Sequence, residues 1–136
     1  MYKRQLVGYA ARLSGRYGQA AEAYQRGLRL SPSSVDGLSG LAQTYGAMGR
    51  SGEAERLLKQ VLAANPGRKN DLLVLGDLYT RSGDYSNAVE FLGRAERLEP
   101  SAQSELLMAI SYEHLNQMSL ANHYLELAKG LSLIHI

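Results

Sequence analysis

Hydrophobic and small residues recur along this chain at spacings of three and four, between short polar turns. The clearest example begins with Leu72, Leu75 and Tyr79, which share one stripe of a helix. Gly83 follows where a helix needs a left-handed residue to end. A second stripe of the same period comes next, and Pro100, through which a helix cannot continue, closes it. The segment therefore predicts a hairpin of two helices.

The same hairpin recurs on both sides of this segment. Pro32, Pro66 and Pro100 are each 34 residues apart. Three other positions repeat with the prolines, namely Gly8, Ala42 and Gly76 in the first stripe, Gly15, Gly49 and Gly83 at the turn, and Ala20, Ala54 and Ala88 in the second stripe. A fourth copy follows one residue early, with Asn116 at the turn, where Asn tolerates the left-handed conformation.

The repeated pattern predicts eight helices joined by short connectors. Their expected bounds are 5–14, 18–30, 34–48, 53–65, 69–82, 86–98, 102–115 and 119–131. Ser33 or Ser34 is expected to cap the third helix, and Ser51 the fourth.

The third predicted helix is unusual because it carries Gly37, Gly40 and Gly46. Each glycine inside a helix costs about 0.5–1 kcal/mol relative to alanine. One interpretation is a locally weak helix held in place by its neighbours. The other is a bare stretch where the backbone of a binding partner can approach.

A 34-residue period with small residues at fixed positions resembles the tetratricopeptide repeat. The resemblance implies an all-α fold, a right-handed α-solenoid of about four antiparallel helix-turn-helix repeats. We expect these repeats at about residues 1–34, 35–68, 69–101 and 102–130. The composition, 45% hydrophobic and 21% charged, agrees with such a fold, in which the core is a strip between stacked hairpins.

The two ends of the chain look foreign to the repeat array. Residues 1–5 can be encoded as GTG TAT AAG AGA CAG, with GTG read as a start codon, and residues 131–136 as CTG TCT CTT ATA CAC ATC. These strings are reverse complements over the shorter one, and they resemble the transposon end used in sequencing libraries. We therefore expect residues 1–5 and 131–136 to be non-native tails, and residues 6–130 to be a piece of a longer repeat array.

The charge of the chain gives no indication of a nucleic-acid partner. The formal net charge is +2, and Lys3 and Arg4 of the first tail account for it. Residues 6–130 are therefore neutral overall, which disfavours nucleic-acid binding. No apolar run approaches the roughly 18 residues of a membrane span, so we expect no membrane insertion in this segment.

Candidate catalytic chemistry is sparse. His114 and His123 are nine residues apart, on different predicted helices, without carboxylates at zinc-site spacing. Ser39 lacks the glycine pattern of a nucleophile elbow, and the chain has no cysteine. The sequence thus predicts a protein that is not an enzyme, with no catalytic residues, no cofactor and no metal site.

The family resemblance implies that first helices line a concave groove that binds a peptide or protein. The matching positions are Tyr9, Arg12, Gln43, Asn70, Leu73, Asp77, Thr80, Arg81, Ile110, Glu113 and His114, with Leu13, Ser39, Ala47, Gln103 and Leu107 beside them. Among these, Tyr9, Leu73 and Ile110 are expected as apolar anchors, and Arg12 and Arg81 as ligands for carboxylates. The alternative is that all of them are ordinary exposed residues.

The predicted function is a protein–protein interaction scaffold with a protein or peptide partner. The alternative is the recognition arm of a larger enzyme, such as a transferase, whose catalytic domain lies outside this segment. A third prediction is self-association, because the open ends of a solenoid expose apolar strips.

Overall fold

The computed structural model describes residues 5, 7–9 and 15–134, with side chains up to residue 130. Every regular element within these ranges is an α-helix, so the predicted all-α fold is confirmed. The helices are α1 (Tyr17–Leu30), α2 (Val35–Ala47), α3 (Ser51–Ala64), α4 (Lys69–Ser82), α5 (Tyr85–Leu98), α6 (Ala102–His114) and α7 (Met118–Ile134). Residues 5 and 7–9 are also helical, as predicted for the first helix, and the remainder of 5–14 lies outside the described residues.

The chain forms two compact units, Met1–Pro66 and Gly67–Ile136. In the first unit α2 packs against both α1 and α3. In the second unit α5 lies against α4 and α6, α6 also packs against α7, and α4 touches α6. Within each unit, helices adjacent in sequence are therefore neighbours in space, as short connectors require.

The turns inside the hairpins share one geometry. Gly49 and Gly83 each have φ of +82°, and Asn116, which takes the same place in the fourth copy, has φ of 59°. After Gly83, the amide of Asp84 donates to the carbonyl oxygen of Tyr79 at 2.9 Å. The other two turns contain the same six-residue hydrogen bond, so carbonyls that the helix end leaves free are satisfied. The predicted left-handed residues are confirmed.

The helix starts follow the prediction in one case and not in another. Ser34 caps α2, since its Oγ accepts from the amide of Gly37 at 3.2 Å. The cap predicted at Ser51 is wrong, because Ser51 is the first residue of α3 and Arg50 precedes it. The Arg50 side chain instead makes two hydrogen bonds to the Glu53 carboxylate, of 2.8 and 2.6 Å. The start of this helix therefore holds an ion pair where a hydroxyl was expected.

The helices of a hairpin come closest where one of them carries a small residue. A Cβ added to Gly76 in α4 would lie 2.4 Å from Cδ2 and 2.5 Å from Cγ of Leu92 in α5. Leu92 has no exposed surface, so it has no open space to move into. Ala88 and Ala95, one turn to either side of Leu92, are also fully buried. The small residues predicted at the helix crossing are therefore a steric requirement.

Tyr24 of α1 explains a glycine that the repeat pattern did not account for. A Cβ on Gly40 in α2 would lie 2.3 Å from Cε1 of Tyr24, and a Cβ on Gly8 would lie 3.1 Å from the same ring. Tyr24 is only 3% exposed. Leu28 similarly covers Gly37, whose added Cβ would be 3.0 Å from Cδ2. The interpretation of Gly37 and Gly40 as a bare stretch for a partner's backbone is wrong, because side chains of α1 occupy that space.

Gly76→Ala is expected to lower the free energy of unfolding by about 1–3 kcal/mol, because the new methyl group overlaps Leu92 in a filled core. Gly93→Ala in α5 is the matched control. Its added Cβ would meet Arg97 at 3.6 Å and Met108 at 3.9 Å, which are ordinary contacts. The control should be neutral or stabilising by up to about 1 kcal/mol. Urea unfolding of both variants tests the pair, and an equal loss in both would contradict it.

Tyr24 and Gly40 should behave as a coupled pair. Two repeats on, Leu92 and Leu107 hold the corresponding positions. We expect Gly40→Leu alone to destabilise the first unit, since leucine cannot share space with the tyrosine ring. Adding Tyr24→Leu should recover at least about 1 kcal/mol in a double-mutant cycle followed by urea unfolding. Additive effects of the two changes would show that the ring and the glycine are independent.

Candidate functional site

The first unit holds three of the predicted groove positions and three of the positions beside them. Arg12 and the neighbouring Leu13 lie outside the described residues. Tyr9 is 49% exposed, as an apolar anchor requires. Gln43 is half-buried, and its Nε2 donates to Oγ of the buried Ser39 at 3.3 Å. Part of the amide of Gln43 is therefore already used inside α2.

The predicted groove residues of α4 differ from one another in exposure. Asn70 is exposed, and the carboxylate of Asp77 lies 3.2 Å from Nε of Arg81, one helical turn away. Leu73 is only 8% exposed, so it belongs to the core in this conformation. Thr80 is half-buried, with its hydroxyl donating to the carbonyl oxygen of Gly76 at 2.9 Å. Polar groups rather than an apolar anchor therefore dominate the accessible face of α4.

On α6, Ile110 and Glu113 line a surface pocket rather than standing alone. Its other walls come from α6 and from the next helix, α7, and comprise Leu106, Ala109, Met118, Ala121, Asn122 and Leu125. Ile110 is 44% exposed and Leu106 is 45% exposed. The pocket is thus an apolar depression on one hairpin with Glu113 and Asn122 as polar lining. Self-association through such apolar surface stays a prediction.

His114 lies against an aromatic ring that sequence reasoning did not include in the site. Its imidazole stacks on Tyr85, the first residue of α5, with ring centroids 4.3 Å apart and planes within 3°. Tyr85 follows the turn glycine by two residues, so the repeat frame alone marks it as a turn residue. Spacing along one helix cannot show a contact between the start of α5 and the end of α6, which is why Tyr85 was missed.

The faces of α4 and α6 meet within the second unit. The hydroxyl oxygens of Thr80 and Ser111 are 3.5 Å apart, which brings one predicted groove residue of α4 against α6. The accessible groups on these two helices include a carboxylate–guanidinium pair, an imidazole and a second carboxylate, from Asp77, Arg81, His114 and Glu113. Such groups bind by hydrogen bonds and charge to peptide backbone and polar side chains.

Among the described residues, no group of three or more His, Cys, Asp or Glu side chains is placed to hold a metal ion. In the same part of the chain, none of the helices combines the length and the apolar character that crossing a membrane demands.

Comparison with known proteins identifies the class. The family model described as tetratricopeptide repeat matches residues 11–70 and 47–111. The chain belongs to the tetratricopeptide repeat family. Among curated proteins, the human protein O-mannosyl-transferase TMTC1 is 28% identical over 87 residues, which are 64% of this chain. The chain spans about a tenth of the length of that relative, since the match covers 10% of it.

Solved structures agree with the family. MamA AMB-1 matches with a TM-score of 0.84 at 25% identity, over 95% of this chain and 71% of that one. A thermophilic tetratricopeptide repeat protein of Thermus thermophilus matches with a TM-score of 0.79 at 25% identity, over 96% and 73%. An O-GlcNAc transferase mutant of Thermobaculum terrenum matches with 0.75 at 23% identity, over 82% of this chain and 22% of that one. The last likeness concerns the fold alone.

Proposed function

We propose that this chain is a scaffold that binds a peptide or protein segment on the faces of its first helices. The tetratricopeptide repeat fold is one that suggests protein–protein interaction, which supports the general class. The nature of the surface supports the finer proposal. First helices α4 and α6 touch, and they leave charged and polar side chains accessible beside the apolar Ile110.

The observation that carries the proposal is the placement of hydrogen-bonding groups that the fold does not need. Arg81 and Asp77 pair across one turn of α4, with side chains 58% and 38% exposed. An exposed pair of this kind contributes little to stability, typically about 0.2–1 kcal/mol or less. A peptide carboxylate can replace Asp77 on the guanidinium, and a peptide amide can donate to the Asp77 that is released.

The stacked His114 gives the surface a second fixed point. Tyr85 holds the imidazole in one plane while its edge stays exposed, so its nitrogens keep a defined direction. A preorganised donor or acceptor loses less conformational entropy on binding than a free side chain. We therefore place His114 beside Arg81 among the residues that recognise the peptide.

Peptides selected from a random phage-displayed library against the full chain provide the probe. For the selected peptides, we expect Arg81→Ala and His114→Ala each to weaken binding about tenfold or more, as measured by calorimetry. Arg97→Ala is the matched control, because Arg97 is an exposed arginine in the last turn of the second helix α5. That control should change the dissociation constant by less than about twofold.

Circular dichroism and thermal melting of each variant separate a lost contact from a lost fold. If the selected peptides bind the Arg81 and His114 variants as tightly as the unchanged chain, the proposed surface is wrong. If Arg97→Ala abolishes binding instead, the peptide site lies on the second helices.

The second candidate is the recognition arm of a larger transferase. Two of the similar proteins favour it, since one is named a protein O-mannosyl-transferase and the other an O-GlcNAc transferase. In this case the surface of α4 and α6 would select a polypeptide substrate, and the chemistry would reside in another domain of the parent protein.

Sequencing outward from the codons of Leu6 and Gly130 in source DNA tests the second candidate. A reading frame that continues into a transferase domain would support it. The same experiment tests the proposal that residues 1–5 and 131–136 are non-native, since different residues should then replace them. A frame that continues only into further helical hairpins would favour the scaffold.

A further inference from the structure

Glu105 of α6 occupies a position that the two preceding repeats give to leucine. The corresponding residues of the preceding two copies are Leu38 and Leu72, which are 8% and 0% exposed. Glu105 is 1% exposed, so the carboxyl group takes the place of a core side chain. An ionised carboxylate at such a site loses its hydration and must be compensated or neutralised.

The group facing Glu105 is another carboxyl, that of Glu96 in α5. Glu96 is half-buried, and its Oε1 accepts from the hydroxyl of Ser104 at 2.6 Å and from the amide of Ser101 at 3.2 Å. The connector between α5 and α6 and the start of α6 are thereby bonded to the end of α5.

Glu105 has no comparable donors. Its Oε1 is buried and has no hydrogen-bond partner. Burial raises the pKa of Glu105 to about 7, and the hydrogen bond to Glu96 and the repulsion from its charge add to the rise. Below about pH 7 Glu105 therefore holds its proton and can share it with Glu96 in a hydrogen bond.

We propose that Glu96 and Glu105 form a proton-dependent contact that fastens α6 to α5 and releases the fourth hairpin when the proton leaves. With one proton, the pair is a hydrogen bond between helices. Without it, two adjacent negative charges lie in a core position. The pair acts inside the fold and does not depend on whether the first-helix surface binds a peptide.

Other charges on the packed helices do not neutralise the pair. On α4, Lys69 is engaged by Glu99 at 2.8 Å, and this bond lowers the pKa of Glu99. On α7, Lys129 lies 3.4 Å from Glu126, and both are exposed. On α5 itself, the guanidinium of Arg94 lies over the Phe91 ring, and Arg97 is exposed. No cation appears among the influences on the pKa of Glu105, which come from burial and Glu96.

The direction of the pH dependence follows from the raised pKa. The folded state binds the proton more tightly than the unfolded chain, whose glutamate titrates near 4.5. The stabilising contribution of the protonated pair is therefore complete at pH values below 4.5. It is lost progressively as the pH rises towards and through about 7.

Thermal melting of the full chain from pH 5 to pH 8.5 tests this contact. Glu105→Gln keeps the shape and cannot ionise, so its melting temperature should exceed that of the unchanged chain by on the order of 5–10 °C at pH 8.5 and converge with it near pH 5. Glu113→Gln is the matched control, an exposed glutamate on the same helix. Its melting curves should follow those of the unchanged chain at every pH.

Two further measurements keep the test decisive if Glu105→Gln does not fold. Carbon-13 NMR of the glutamate side chains in the unchanged chain should show one carboxyl titrating near neutral pH, which Glu105→Leu should remove. Hydrogen exchange should show α6 and α7 amides exchanging faster at pH 8.5, after correction for intrinsic rates, with α2 unaffected. Parallel pH profiles for the unchanged chain and the Glu105 variants, or the absence of a neutral-range carboxyl, would overturn the proposal.

Discussion

Each hairpin can pack only because its first helix carries a residue with one methyl group or none where the second helix crosses it. At Gly76 even one methyl would overlap the side chain of Leu92. Ala42 and Ala109 hold the corresponding places and are 0% and 7% exposed. This close approach lets dispersion contacts form along the whole crossing. The burial of the alanines of the second helix, such as Ala88 and Ala95, accompanies it.

The repeat period was enough to predict the helices and their turns, because those features are local. The left-handed conformation at Gly83 and Asn116 follows from residue type and position alone. The Tyr24–Gly40 contact could not be predicted in the same way. It joins helices of different hairpins, and the Tyr24 ring fills the space that a side chain at position 40 would occupy. The repeat period relates each position only to its equivalents in other repeats, so it does not show such a pairing. The local sequence pattern determines the helices and turns, whereas packing between repeats depends on which two side chains meet.

The candidate surface was less predictable than the fold for a related reason. Helical spacing assigns Leu73 and Asp77 to the same face, yet the first is buried and the second is partly exposed. Burial depends on which residues the neighbouring helices cover. The spacing of residues along one helix carries no information about those neighbours. Tyr85 was absent from the predicted set because it reaches His114 from the start of a second helix, α5. A pattern that considers only the faces of first helices does not include such residues.

Glu105 shows that the repeat itself contains information that a search for motifs overlooks. No motif marks this glutamate, but its alignment with Leu38 and Leu72 does, because a charge replaces an apolar core residue. A repeat protein stacks its hairpins in one dimension, so the coupling between neighbours sets how far order extends along the array. An ionisable residue at such a junction makes the coupling there depend on pH.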